Sequence, residues 1–134
     1  MSSAPDSSAL EMDLWPKAKF EADIVTPVSI LRKQAALLGE KTQQLVTGEV
    51  FTYTSDSPML SHDFRLVVPP LDNYKFQLFR VTHRIDELYP LTGYFENATR
   101  KIPDQSAFVQ WLKETLSSES TVKKIDSLMA QAKG

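Results

Sequence analysis

Three β-rich runs stand close together between Gly48 and His83, and their spacing restricts the fold more than any other feature of the chain. They read "GEVFTYTSD", "DFRLVVP" and "KFQLFRVTH". The first places Phe51 and Tyr53 on one face and Val50 and Thr52 on the other. The second sets Phe64, Leu66 and Val68 against Asp63 and Arg65. In the third, the alternation changes phase at Leu78–Phe79, which predicts a bulge or a strand covered on both faces. Only "DSPMLSHD", expected as a loop, and "PPLDNY", expected as a turn, separate the runs. Parallel neighbours need a crossover of about a dozen residues or more. The runs therefore predict an antiparallel meander. "LTGYFEN", Leu91 to Asn97, offers a fourth strand.

Helical patterns flank this block. In "TPVSILRKQAALLGEKTQQLV", Thr26 suits the cap and Pro27 the first helical position. Val28, Leu31, Ala35, Leu38 and Leu45 recur at helical spacing, widened by Leu37. Gly39 interrupts the pattern, and a close helix–sheet approach there would account for it. After the strands, "DQSAFVQWLKETL" carries a stripe of Ala107, Phe108, Trp111, Leu112, Thr115 and Leu116. "SSES" then breaks that helix and caps a last one, striped by Val122, Ile125, Leu128, Met129 and Ala132. The fold expected is α+β: an antiparallel three- to four-stranded meander with an N-terminal helix and two C-terminal helices on one face.

A chain of 134 residues with 42% apolar residues and 13 aromatics (Trp 2, Tyr 4, Phe 7) can bury a sufficient core as one domain. The domain is expected over residues 13–134, after a disordered leader over 1–12 that is rich in Ser, Ala and Asp. "LWPKAKFEADIV" follows the leader, with Trp15, Phe20, Ile24 and Val25 available to anchor it on the body. Residues 1–25 hold five acids against Lys17 and Lys19, a net −3. The whole chain is −2, so the remainder is +1. A near-neutral body disfavours nucleic acid, which is held largely by phosphate neutralisation. No apolar run approaches the length of a membrane span, and the N-terminus lacks the pattern of a signal peptide, so the cytoplasm is the default expectation.

Few catalytic or cofactor motifs can be written on this sequence. Glycine occurs only at 39, 48, 93 and 134, which excludes GxGxxG, P-loop and nucleophile-elbow patterns. Without cysteine there are no thiolate sites, and His62 and His83 are the only imidazoles. His62 and Asp63 point to opposite faces of a strand. His83 could meet Asp86 or Glu87 only if "RIDEL" turns helically; otherwise it is a strand-end histidine satisfied by a local hydrogen bond. The interleaving of "YKFQLFR" resembles a single-strand nucleic-acid binder, but Lys75 and Arg80 would face opposite sides of a regular strand. No metal and no cofactor is expected.

"RVTHRIDELYPLTGYF" remains. Arg80, His83, Arg84, Tyr89, Tyr94 and Phe95 give it the composition of an interaction surface, on what Pro90 suggests is a sheet edge. The function expected is a non-catalytic protein-interaction module of regulatory, adaptor or immunity type. It would bind an unidentified protein partner or itself as a homodimer. The alternative is a small-molecule binder or minor enzyme with a pocket between sheet and helices, using Tyr53, Tyr74, His83 or Arg80 for polar contacts. Nucleic-acid binding would instead need Arg80, Arg84, Arg100 and Lys101 on one face.

Overall fold

A computed structural model describes residues 7–56 and 58–134. Residues 1–6 of the expected leader lie outside the described residues. Helix α1 spans Pro27–Lys41 and is followed by strands β1 (Thr47–Ser55), β2 (Met59–Val68), β3 (Tyr74–Arg84), β4 (Leu91–Phe95) and β5 (Ala98–Ile102). Helices α2 (Gln105–Leu116) and α3 (Glu119–Lys133) complete the chain. The five strands form one sheet in sequence order, every pair antiparallel. The meander expected from the short connections is present, with one strand more than the longest version expected.

The extra strand is β5. A two-residue turn at Glu96 and Asn97 splits it from β4, with Glu96 at φ 55°. A turn of this kind normally announces itself with glycine, and here it does not. Four of the five β5 residues are exposed, so no apolar alternation marks the strand either. As a result β4 is an inner strand, correcting the expectation that Pro90 introduces an edge. The edges are β1 and β5.

Strand β2 also begins earlier than expected, because Met59–His62 belong to the ladder rather than to a loop. Their polar side chains are satisfied across the sheet: Ser61 meets Ser55 at 2.7 Å and His62 meets Thr52 at 2.8 Å. The phase change in β3 is a bulge. Phe64 pairs with Phe79 and the next β2 residue, Arg65, pairs with Gln77, leaving Leu78 as the extra residue.

The helices cover one face of the sheet. Register places Gly48, Val50, Phe64, Leu66, Phe79, Val81, Leu91 and Ile102 on that side, and most of them form the buried core with Leu31, Phe108, Trp111 and Leu112. Helix α1 starts as expected, with Thr26 and Ser29 forming reciprocal cap bonds and Pro27 in the first turn. It stops at Lys41, short of Leu45. Thr42 turns its hydroxyl onto the carbonyls of Leu38 and Val46, and Gln43 and Gln44 adopt left-handed backbone. Val46 then enters the core from the loop.

The close helix–sheet approach lies at Gly48 rather than Gly39. A Cβ on Gly48 would stand 2.6 Å from Ala35 of α1, whereas the nearest atoms to one on Gly39 belong to the flexible Gln44 side chain. Gly93 plays the same role beneath Trp111 of α2. In α3 the face turned inward carries Thr121 and Leu128, while Val122 is exposed. Thr121 is admitted to the interior because its hydroxyl donates to the Thr115 carbonyl at 2.9 Å.

The segment before α1 does not anchor on the body. After a single 3-10 turn at Ser7–Leu10, Trp15, Phe20, Ile24 and Val25 remain exposed, with Trp15 and Phe20 meeting edge to face at 5.7 Å.

Candidate functional site

The face of the sheet opposite the helices carries an ordered polar and aromatic patch. Across β1, β2, β3 and β4 it presents Phe51 and Tyr53, then Asp63 and Arg65, then Arg80, then Tyr94. Asp63 is the centre. It is only 2% exposed although it sits on the uncovered face, because longer side chains lean over it. Arg80 donates from Nε to Oδ1 at 2.7 Å, Arg65 stands 3.8 Å from Oδ2, and the Tyr53 hydroxyl reaches Oδ1 at 3.5 Å.

The aromatic rings are held from the same centre. The Arg65 guanidinium lies 4.5 Å from the Phe51 centroid and that of Arg80 lies 5.8 Å from Tyr53, while the two rings are 5.4 Å apart. One buried carboxylate thus fixes two arginines, and the arginines fix two rings. Tyr94 flanks Arg80 in register and is 40% exposed; Phe51 is 44% exposed.

The bulge at Leu78 extends this face. It puts Lys75, opposite Val67, on the same side as Arg80, opposite Asp63, which corrects the expectation that they point apart. Arg84 and Lys101 share the face, while Arg100 lies on the other and pairs with Glu114 of α2 at 3.1 Å. Four of these cations have a carboxylate partner: Arg65 and Arg80 have Asp63, Lys75 has Glu49 at 2.9 Å, and Arg84 has Asp86 at 3.1 Å.

The residues singled out in "RVTHRIDELYPLTGYF" divide between the two faces. Arg80, Arg84 and Tyr94 belong to the open one. Phe95 pairs with Phe79 on the helix side and is half-buried. Tyr89 packs against Phe108, and its hydroxyl is buried with no partner among the described residues. Burial, followed by the charge of Asp104, pushes that phenol above its ordinary value. Tyr89→Phe removes an unpaired oxygen and is expected to leave stability unchanged or raise it by up to about 1 kcal/mol, read from urea unfolding midpoints.

His83 is buried on the helix side beside His62, their Nε2 atoms 2.9 Å apart. His83 Nδ1 donates to the carbonyls of Arg84 (2.8 Å) and Glu87 (2.6 Å). The local hydrogen bond expected for it is therefore present, but its acceptors are backbone oxygens. Only one hydrogen fits between the two Nε2 atoms, so the pair cannot carry a proton on both. Sequence reasoning missed this pair, since the two residues stand 21 positions apart and only strand register unites them. Burial first, then the charges of His83 and Arg32, lowers His62 to about 4 despite the opposing effect of Asp63. Among the described residues no three His, Cys, Asp or Glu side chains converge as a metal site.

One recess is notable on the helix side. A cleft of about 630 Å³ opens between α1, the sheet, the C-terminal end of α2 and the middle of α3. Leu37, Leu38, Leu66, Leu78, Leu116 and Ile125 line it, with Lys41 and Lys113 at its rim. None of Tyr53, Tyr74, Arg80 or His83 contributes to its wall. Comparison of the chain with protein-family models, curated proteins and solved structures returned no match.

Proposed function

We propose that the chain is a non-catalytic protein-interaction module that binds a protein partner through the bare face of its sheet. The observation that carries this reading is the Asp63-centred patch. An antiparallel sheet commonly leaves one face to water, but such a face needs no buried carboxylate holding arginines over aromatic rings. Tyrosine and arginine dominate binding hot spots. Locking them before binding reduces the ordering cost of association. A regulatory, adaptor or immunity-type role follows from a surface that binds without chemistry of its own.

Two other readings are weaker on the same geometry. A single-stranded nucleic acid needs free aromatic faces and free cations. Here guanidinium groups cover Phe51 and Tyr53, and most cations of the face are already paired. A small-molecule site calls for a few convergent polar groups inside an apolar pocket. The cleft has lysines at its rim and an apolar wall, which suits a length of chain better. No described helix is long and apolar enough to cross a membrane.

The test is co-purification with tagged full-length chain from its native host, beside a bait carrying Phe51→Ala and Tyr94→Ala. Both side chains are exposed, so the variant is expected to keep its circular dichroism spectrum. One stoichiometric protein should be retained by the parent and lost by the variant, an affinity loss on the order of a hundred-fold. Equal retention by both baits would remove the open face from consideration. Retention of the parent on heparin at moderate salt would favour nucleic acid instead.

A further inference from the structure

The cleft and the segment before α1 are complementary, although they lie on different parts of the chain. From Leu10 to Phe20 the segment exposes Leu10, Met12, Leu14, Trp15 and Phe20, four of them more than 70% open to solvent. Single exposed apolar residues are ordinary, but a cluster of five within eleven residues marks a surface that is covered by something. Leu10, Met12 and Leu14 alternate with Glu11 and Asp13. In extended backbone the apolar side chains fall on one side and the carboxylates on the other. The cleft presents the matching pattern: apolar side chains along its floor and Lys41 and Lys113 at its rim, with no acidic residue in its wall.

We infer that the cleft is a peptide site, and that its occupant is the Leu10–Phe20 arm of a second copy of this chain. Leu10, Met12 and Leu14 fill the floor, Glu11 and Asp13 meet the two lysines, and Trp15, on the carboxylate side, closes over the rim. Charge complementarity selects this occupant: residues 1–25 are net −3 and the rest of the chain is net +1. The arm of a single chain leaves its apolar side chains in solvent, the form expected of a segment whose seat lies on another molecule. Reciprocal exchange makes the contact isologous and closes it as a dimer. Trp15 and Phe20 from each of the two arms, at roughly 150–250 Å² apiece, supply roughly 600–1,000 Å² of the about 1,600 Å² of a standard interface. This dimer uses neither the open sheet face nor the sheet edges, so it is separate from the surface proposed above for a foreign partner.

Sedimentation equilibrium of the full-length chain over a wide concentration range tests it. The parent should be a dimer. Leu14→Asp with Trp15→Ser should raise the dissociation constant on the order of a hundred-fold or more. Reversal at the rim, Lys41→Glu with Lys113→Glu, should raise it by roughly tenfold, and adding Glu11→Lys with Asp13→Lys should recover most of that loss. All these side chains are exposed, and circular dichroism checks that each variant folds. A monomer at every concentration overturns the proposal, including one whose arm seats in its own cleft. A dimer indifferent to the arm substitutions overturns it as well, as does one that responds to the arm but not to the lysines.

Discussion

A chain with valine at position 48 is expected to lose about 3 kcal/mol of stability or more, measured as a shift in urea midpoint at unchanged m-value. A Cβ at this position lies 2.6 Å from both Cα and Cβ of Ala35 and 3.1 Å from the Phe64 ring. The obstacle is helix backbone, which cannot rotate away as a side-chain end can. Helix α1 must therefore lift from β1, and lifting it uncovers Leu31 and Ala35, which it contributes to the core. Overpacking ordinarily costs about 1–3 kcal/mol. The expectation lies at or above the top of that range because valine brings two further methyl groups into the same contact. An unchanged midpoint would mean that α1 does not cross the sheet at Gly48.

The second large effect is on pH dependence. The His62 imidazole is lowered from 6.5 to about 4, chiefly by burial. In the unfolded chain it takes a proton near pH 6.5, while in the folded chain it resists until about pH 4. Across that window the unfolded state binds more protons, so stability falls as pH falls. It is fully present above about pH 6.5. The loss is complete near pH 4 and amounts to about 3 kcal/mol at 1.36 kcal/mol per pH unit. Urea unfolding at stepped pH would show the decline starting between pH 6 and 7, above the range where ordinary carboxylates titrate. A His62→Gln chain should be less stable at neutral pH but flatter across this window. Stability that holds constant down to pH 4.5 in the parent would contradict a buried His62 that shares its Nε2 contact with His83.

The helices were the most legible part of the sequence, because their signals are local. Thr26 and Pro27 announced the start of α1, and the stripe of Phe108, Trp111 and Leu112 identified the buried side of α2. Phe64, Leu66 and Val68 likewise gave the inner face of β2. What escaped depended on partners distant in sequence. Ser61 and His62 looked like loop residues because each is polar, and Asp63 read as the start of the strand. They are tolerated in a central strand only because Ser55, Thr52, His83 and Arg80 meet them across the ladder. The candidate surface was half visible for a similar reason. Arg80, Arg84 and Tyr94 were recognised, but Phe51, Tyr53 and Asp63 reach them only through register. The bulge at Leu78, although expected as a change of phase, reversed the side on which Lys75 lies relative to Arg80.

The strand order of the sheet also bears on how the molecule is made. Each strand pairs with the one synthesised just before it. As the chain leaves the ribosome, every new strand after β1 finds its neighbour already waiting, and no strand must hold an open place for a distant one. Such a sheet can grow by successive hairpins, with little loop-closure entropy at any step. The open edge moves outward with synthesis and comes to rest on β5, the most exposed strand of the five. Its final exposed margin, carrying Arg100 and Lys101, is poorly suited to recruiting a sixth strand from another nascent chain.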